Sequence, residues 1–407
     1  MISRWKLDRL TADLLLYALS AVFAGITAAA STLLPHRAWG AIAVVGYAAA
    51  ALAAGLQRAT NLGRTGVRLV VLAAAWVATA WVPMLAQTVE RADGRPDRAQ
   101  EEVVVVEHGG ARLVDTGTPY LSNHAIAGLP ADDRLLGYHP YQPGMALFGV
   151  PRALAGDAWW TDARVWFALV TLAALAAAGW LLRGCGPALV RALQFATVFP
   201  ICALTMATGG DDVPVLAFCL LALALCAGGR YGAAGVAVGA AAALKLFAWP
   251  IAAVLLFLAA TRGRSTALRY TAGAVGLPVL ALVPPALVDS RALVDNVVGF
   301  ALGHGVVTTP AQSPLIGFLI AQHLPGGKII ALGLLAAAAL SVAVWLVRRP
   351  PRTAGDASLV SGYGLLAMLL LLPSTRFGYL LYPIALFAWA PALHTPSPAR
   401  AEPVAAA

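Results

Sequence analysis

The chain has 407 residues, of which 60% are hydrophobic and only 12% are charged, and its mean hydropathy is +0.77. An ordinary soluble protein is about 25% charged, so this composition excludes soluble domains, a disordered chain and a disulfide scaffold. The net charge of +9 would suggest nucleic-acid binding in a soluble protein, but in a membrane protein it is typical of basic cytoplasmic loops. The composition predicts an all-α polytopic membrane protein without a nucleic-acid partner.

Apolar segments that approach the length of a bilayer recur along the whole chain. A spanning helix needs about 20 apolar residues, with a range of about 17–25. We therefore expect about twelve transmembrane helices in a single integral membrane domain that covers residues 1–407. The predicted helices cover residues 10–31, 38–56, 69–86, 165–182, 192–207, 213–227, 232–246, 247–260, 270–288, 329–347, 359–372 and 379–392. Residues 313–323 are a candidate for a further, partly inserted segment.

The charged residues predict the orientation of the chain. With the N-terminus in the cytoplasm, 16 of the 28 Lys and Arg residues lie on the cytoplasmic side and only five lie in short outer segments, in agreement with the positive-inside rule. Both termini are then cytoplasmic, and 15 of the 19 acidic residues are outside. The apolar run after Arg4-Trp5-Lys6 is too long for a signal peptide, so we expect a retained first helix. Few lysines and abundant alanine suggest a GC-rich bacterial genome, so we expect the membrane to be a bacterial plasma membrane.

One large extracytoplasmic loop is predicted over residues 87–162. Within it, residues 101–114 have the pattern of an amphipathic helix that lies on the membrane. The stretch at 138–144 is rich in proline and aromatic residues and predicts turns. At the other end of the chain, residues 394–407 contain three prolines and are predicted to form a disordered cytoplasmic tail.

The large loop carries the first group of candidate site residues. A carboxylate beside a membrane surface can act as a general base on a hydroxyl acceptor, although a solvated acidic loop has the same composition. The clustering of aromatic residues after the carboxylates favours a functional site. The loop candidates are Glu101, Glu102, Glu107, Tyr120, Tyr138, His139 and Tyr141.

Two further candidates lie at predicted helix ends. Asp211 and Asp212 follow two glycines and would bind a sugar hydroxyl, a metal or a partner arginine, or else only cap the next helix. Lys245 ends an alanine-rich helix. A lysine at that depth in a membrane is a functional candidate by default, with a phosphate as its natural partner and snorkelling to the interface as the alternative.

The last predicted outer turn contains Arg376 as its only basic residue, so this arginine is a candidate for phosphate binding or for an interfacial anchor. His304 and Arg291 are weaker candidates in the preceding outer loop, where a histidine is most often solvated. The four cysteines lie in or beside apolar segments without CxxC spacing, which is typical of buried small residues. No metal and no cofactor are expected.

Taken together, the acidic groups, cations and aromatic residues on one face suit an enzyme with a lipid-phosphate substrate. The motifs resemble those of GT-C membrane glycosyltransferases, nearest to glycosyltransferase family 87, the polyprenyl-phosphate-mannose-dependent mannosyltransferases. The stretches that carry this resemblance are Gln100-Glu-Glu-Val103, Gly117-Thr-Pro-Tyr120, Tyr138-His-Pro-Tyr-Gln-Pro143, Gly209-Gly210-Asp-Asp212, Ala243-Leu-Lys245 with Pro250, and the weaker Pro373-Ser374 to Tyr379.

The resemblance implies a GT-C-like fold and an inverting transfer of a sugar, with mannose the first candidate, from a polyprenyl-phosphate donor to a lipid or glycan hydroxyl. Glu102 matches the family's acidic residue, with Glu101 beside it as the alternative base. The family more often has aspartate there, and two extra helices precede the loop in this chain. Lys245 and Arg376 carry over as contacts to the donor phosphate. A transporter or flippase of lipid-linked sugars is the alternative function.

Overall fold

The computed structural model describes residues 8–394, and every structural statement below refers to this part of the chain. It contains no β-strand, and its one isolated β-bridge joins Gln312 and Thr375. The α-helices are α1 Arg9–Ala30, α2 Leu34–Ala59, α3 Thr65–Trp76, α4 Val82–Ala92, α5 Glu101–Thr116, α6 Asn123–Ala127, α7 Arg134–Gly137, α8 Val150–Ala155, α9 Ala163–Leu181, α10 Pro187–Thr197, α11 Pro200–Thr208, α12 Asp212–Ala227, α13 Tyr231–Leu244, α14 Ala248–Ala260, α15 Arg264–Val294, α16 Ile316–His323, α17 Gly327–Arg348, α18 Ala354–Leu371 and α19 Leu381–His394.

The helices confirm an all-α polytopic membrane protein. Eight segments are long and apolar enough to cross a bilayer, and the pair α10–α11, bent by 44°, is a ninth when it is counted as one span. Helices α12, α13 and α14 are apolar but shorter. Every one of the twelve predicted segments coincides with one of these helices or helix pairs, and α16 lies within the predicted partly inserted segment.

Several boundaries differ from the sequence prediction. The third segment is helical from Thr65 to Ala92, because a π-helical turn at Val77–Trp81 joins α3 to α4. Residues 87–92, which were predicted to begin the loop, therefore continue this helix. The ninth segment is also longer than predicted, from Arg264 to Gly299, and it is kinked at Asp289, whose φ and ψ of −153° and 90° are not helical. Arg4-Trp5-Lys6 and all but the first residue of the predicted disordered tail lie outside the described residues.

Small residues allow close helix packing in the centre of the bundle. A Cβ atom on Gly235 of α13 would lie 2.0 Å from the backbone oxygen of Tyr270 in α15. One turn later, a Cβ atom on Gly239 would lie 2.2 Å from the backbone oxygen of Gly273. Only glycine permits the two backbones to approach this closely, as is common between transmembrane helices.

A buried ionic network fixes the large loop to the bundle. Arg91 at the end of α4 donates to both oxygens of Glu107 in α5, at 2.8 and 2.6 Å, and to Asp162 before α9 at 2.8 Å. Asp162 also accepts from the buried side chain of Arg164. Burial opposes ionisation of Asp162, but Arg164 and Arg91 hold its pKa well below the ordinary value. Glu107, one of the three loop carboxylates considered above, therefore serves to anchor α5.

Candidate active site

Four connections meet at one end of the bundle, which we call the polar end. They are the start of α5, the turn between α11 and α12, the break between α13 and α14, and the turn before α19. Side-chain contacts described below join each of these connections to at least one other. The polar end therefore brings together candidate residues that are widely separated in the sequence.

The turn between α11 and α12 presents two adjacent carboxylates. Gly210 has a φ of +88°, which favours glycine, and a Cβ atom at this position would lie 2.8 Å from the ring of Phe167. The chain can therefore turn sharply against α9 before α12 begins at Asp212. The side chains of Asp211 and Asp212 are both buried, so they need partners.

Lys245 is the partner of both carboxylates. Its Nζ lies 2.7 Å from Asp211 Oδ2 and 2.6 Å from Asp212 Oδ1, and its side chain is only 8% exposed. Tyr382 of α19 donates a further hydrogen bond of 2.6 Å to Asp212 Oδ1. Asp211, Asp212 and Lys245 together carry a formal charge of −1, so the two carboxylates more than balance the charge of the ammonium group.

The backbone explains how Lys245 reaches this position. Its φ and ψ of −152° and 145° are extended, which ends α13, and α14 begins only at Ala248. Pro250 is tolerated because it lies in the first turn of α14, where backbone N–H groups have no partner within the helix. The aromatic side chains around the ammonium group lie 5.0–5.8 Å from it, and they belong to Tyr141, Phe247 and Tyr379.

A second ion pair joins Glu102 in the first turn of α5 to Arg376 in the turn before α19. The side chain of Glu102 is 14% exposed and that of Arg376 is 30% exposed, so this pair is more accessible than the Lys245 cluster. Glu101 is exposed and has no ion pair within residues 8–394. The structure thus distinguishes two neighbouring glutamates that the sequence alone left as alternatives.

The two ion-paired groups are adjacent. A Cβ atom on Gly209 would lie 3.9 Å from Glu102 Oε2, and Asp211 follows Gly209 by two residues. On the other side, Tyr379 interacts electrostatically with both Arg376 and Lys245. The polar end therefore forms one continuous site.

Gln100 fixes the start of α5 in this site. Its N–H donates to the backbone oxygen of Thr208 at 3.1 Å, and its Oε1 accepts from Thr208 Oγ1 at 2.8 Å. Its Nε2 donates to the ring of His36 in α2 at 2.8 Å. Sequence reasoning chose none of these three as a site residue, although Gln100 is the first residue of one quoted motif and Thr208 directly precedes another.

The aromatic residues of the large loop mainly organise the segment that reaches Lys245. Tyr120 donates to the backbone oxygen of Tyr141 at 2.9 Å, and the N–H of Gln142 donates to the oxygen of Leu244 at 3.1 Å, so the segment lies against the end of α13. Burial, together with the charge of Asp211, raises the pKa of Tyr141 well above its ordinary value. Tyr141 therefore remains a neutral hydroxyl near Asp211.

Tyr138 and His139 precede Tyr141 in the same loop segment, and their contacts hold that segment in place. Tyr138 stacks on Phe300 at 4.2 Å and accepts from the N–H of Val306 at 2.7 Å, which ties the loop to the segment after α15. His139 is fully buried between Tyr120 and Tyr141, and burial lowers its pKa to about 3. Its ring is therefore neutral at physiological pH.

His304 lies apart from these groups. It is exposed in the segment between α15 and α16, and its N–H donates to the backbone oxygen of Gly299 at 2.9 Å. Its place in the substrate site stays a prediction. Within residues 8–394, no cluster of three or more His, Cys, Asp or Glu side chains is arranged to hold a metal ion.

Comparison with known families decides the class of this site. The model of glycosyltransferase family 87 matches residues 138–373, which is more than half of the chain. The chain belongs to glycosyltransferase family 87. The resemblance found in the sequence motifs is thereby confirmed, and the polar end belongs to a membrane glycosyltransferase. Neither a search of curated proteins nor a search of solved structures found a match.

The family match divides the site. Asp211, Asp212 and Lys245 lie within the matched region, which begins at residue 138, well after Glu102, and ends at residue 373, shortly before Arg376. The family match therefore gives no information about the contact between Glu102 and Arg376, which is seen only in the structure.

Proposed function

We propose that this glycosyltransferase moves a sugar, with mannose as the first candidate, from a polyprenyl-phosphate-sugar donor to a lipid or glycan hydroxyl at the extracytoplasmic face of a bacterial plasma membrane. The observation that carries the proposal is the Glu102–Arg376 ion pair beside the Asp211–Asp212–Lys245 cluster. A carboxylate, a phosphate-binding cation and acceptors for sugar hydroxyls are the groups that such a transfer requires.

Arg376 is the better candidate for the first contact to the donor phosphate. It has a single carboxylate partner and is 30% exposed, whereas Lys245 is 8% exposed and holds two carboxylates. A guanidinium group also binds phosphate through two parallel hydrogen bonds. Lys245, expected from the sequence to bind phosphate equally, has one N–H left for this role and mainly holds Asp211 and Asp212.

The carboxylates of Asp211 and Asp212 are suited to accept hydrogen bonds from sugar hydroxyls. The rings of Tyr141 and Tyr379 lie beside the same cluster and provide apolar surfaces for the faces of the sugar. This division of roles leaves the polyprenyl tail in the bilayer, where the surrounding helices are apolar.

Glu102 is the proposed general base. When the donor phosphate takes the place of Glu102 on Arg376, the released carboxylate accepts the proton of the acceptor hydroxyl. The acceptor oxygen attacks the anomeric carbon as the bond to the phosphate oxygen breaks, which inverts the configuration. The leaving phosphate keeps the electron pair, and Arg376 stabilises its charge.

The test is a transfer assay with purified protein in detergent, radiolabelled polyprenyl-phosphate-mannose and a crude lipid extract. Glu102→Gln should abolish transfer while donor binding persists, and Glu101→Gln is the matched control that should retain transfer. Unchanged turnover in Glu102→Gln would eliminate this residue as the base. Absence of transfer from this donor and from polyprenyl-phosphate-arabinose would contradict the proposed donor class.

A transporter of lipid-linked sugars remains the alternative class. The interruption between α13 and α14 and the bend between α10 and α11 resemble the broken helices of transporters. The family assignment favours the transferase. Movement of the lipid-linked sugar across reconstituted vesicles without any transfer would favour the transporter instead.

A further inference from the structure

A groove lies at the end of the bundle opposite the polar end. It is formed by the last turns of α17 and the first turns of α18, and it contains a cavity of about 600 Å³. Helix α18 extends over 18 residues from this groove to the turn that contains Arg376, and at 1.5 Å per residue its two ends are about 27 Å apart. The groove is therefore distinct from the proposed active site.

Three arginines line the basic end of the groove, at positions 348, 349 and 352. All three are exposed, and within residues 8–394 none of them forms an ion pair with a carboxylate. The acid of the groove, Asp356, is already engaged, since it accepts from the N–H of Thr353 at 3.0 Å and lies 3.1 Å from His394 Nε2. The positive charges of these three arginines are therefore not neutralised by ion pairs with neighbouring carboxylates.

The rest of the groove is apolar and continuous with the outside of the bundle. Trp345 is 43% exposed, Tyr363 is also exposed, and Leu359 and Val360 line the wall between them. Helix α17 faces outward, since only 11% of its most apolar stretch is buried in protein. A second cavity of about 560 Å³ continues along α17 and shares Trp345, Arg348 and Arg349.

We propose that this groove binds an acidic phospholipid from the leaflet opposite the active site. The anionic headgroup would contact the three arginines through charge-assisted hydrogen bonds, and an acyl chain would lie along Trp345 and α17. Clustered arginines at a helix end, with an apolar path into the bilayer, are the features that recognise anionic headgroups. The aromatic rings of Trp345 and Tyr363 suit the level of the lipid headgroups.

Basic residues in a cytoplasmic turn also follow the positive-inside rule, so the test compares this turn with others on the same side. The full-length protein in detergent is titrated with fluorescent phosphatidylglycerol and, separately, with fluorescent phosphatidylcholine. The triple variant Arg348→Gln, Arg349→Gln, Arg352→Gln should bind phosphatidylglycerol about tenfold more weakly or worse. The control triple Arg9→Gln, Arg64→Gln, Arg183→Gln removes the same charge from exposed arginines of other predicted cytoplasmic segments and should bind like the wild type.

A second variant keeps the test decisive if the triple variant fails to fold. Trp345→Ala leaves all charges in place but removes the apolar wall, and it should also weaken binding of phosphatidylglycerol. Equal binding of the two lipids by the wild type, equal losses in the two triple variants, or full binding by Trp345→Ala would each overturn the proposal. Displacement of the lipid by equimolar glycerol phosphate would show that a free anion, and not a lipid, is the occupant.

Discussion

Glu102 and Arg376 form an ion pair between the first turn of α5 and the turn that precedes the last helix, α19. The pair joins the large loop to the end of the chain beside the Asp211–Asp212–Lys245 cluster. One side chain is the proposed base and the other is the proposed phosphate ligand. In the proposed mechanism, a donor phosphate that binds Arg376 displaces Glu102, so donor binding and release of the base would occur together.

This exchange predicts that the two residues affect different steps. Arg376→Met should weaken donor binding about 10- to 100-fold, because a hydrogen bond to a charged group contributes about 1.5–3 kcal/mol. Arg376→Lys should restore part of the loss, since it keeps the charge but not the two-pronged contact. Donor affinity is measured directly with radiolabelled polyprenyl-phosphate-mannose. Equal donor affinity in Arg376→Met and wild type would assign the phosphate to another residue.

Lys245 is predicted to be essential for stability as well as for activity. Lys245→Met would leave two buried carboxylates side by side without a cation, and breaking a buried ion pair in this way costs about 3–5 kcal/mol. Thermal unfolding in detergent should show a large loss of stability. The variant that also carries Asp211→Asn and Asp212→Asn should recover most of this stability while remaining inactive. If the triple variant is as unstable as Lys245→Met alone, the unpaired carboxylates are not the cause of the lost stability.

Gly144 is predicted to control the position of the loop segment that carries Tyr141. A Cβ atom on Gly144 would lie 2.6 Å from the backbone oxygen of Ala243, just before Lys245. Gly144→Ala should therefore displace the segment, at a cost of about 1–3 kcal/mol, and reduce transfer by about tenfold or more. Gly179→Ala is the control, because a Cβ atom there has no neighbour within 4 Å. Similar activity of the two variants would argue against a tight contact at Gly144.

His139 is predicted to make the protein sensitive to mild acid. Burial lowers its pKa to about 3, whereas an unfolded chain has a histidine pKa of about 6.5. Between these values the unfolded chain binds a proton that the folded chain does not, so stability falls as the pH decreases from 6.5 and is unaffected above it. Replacement by asparagine should lessen the loss between pH 7 and pH 5 by about 2 kcal/mol.

The measurement for His139 is thermal unfolding at the two pH values, compared between His139→Asn and the wild type. His124→Asn provides the control, because His124 is exposed on α6 and its replacement should leave the pH dependence as it is in the wild type. A pH dependence identical in His139→Asn and wild type would show that the ring titrates normally in the folded protein.

Composition and the spacing of apolar segments were enough to predict the fold class, because a chain in a bilayer must satisfy its backbone hydrogen bonds within each helix. The twelve predicted segments coincide with helices for this reason, although the boundaries moved where one π-helical turn joins α3 to α4 and another follows α15. The motifs likewise identified the family and selected Glu102, Asp211, Asp212, Lys245 and Arg376 individually.

Only the tertiary structure decided which of these groups contact one another. Lys245 was expected to bind a phosphate, but in the structure it binds Asp211 and Asp212. Arg376 contacts Glu102, whereas Glu101 is exposed. Glu107, another loop carboxylate among the sequence candidates, forms its ion pair with Arg91. The physical reason is that the chemistry of a buried charge is set by its partner, and each partner here comes from another helix or loop. Local sequence determines a helix end and a polar residue on it, and the packing of the bundle determines what that residue meets.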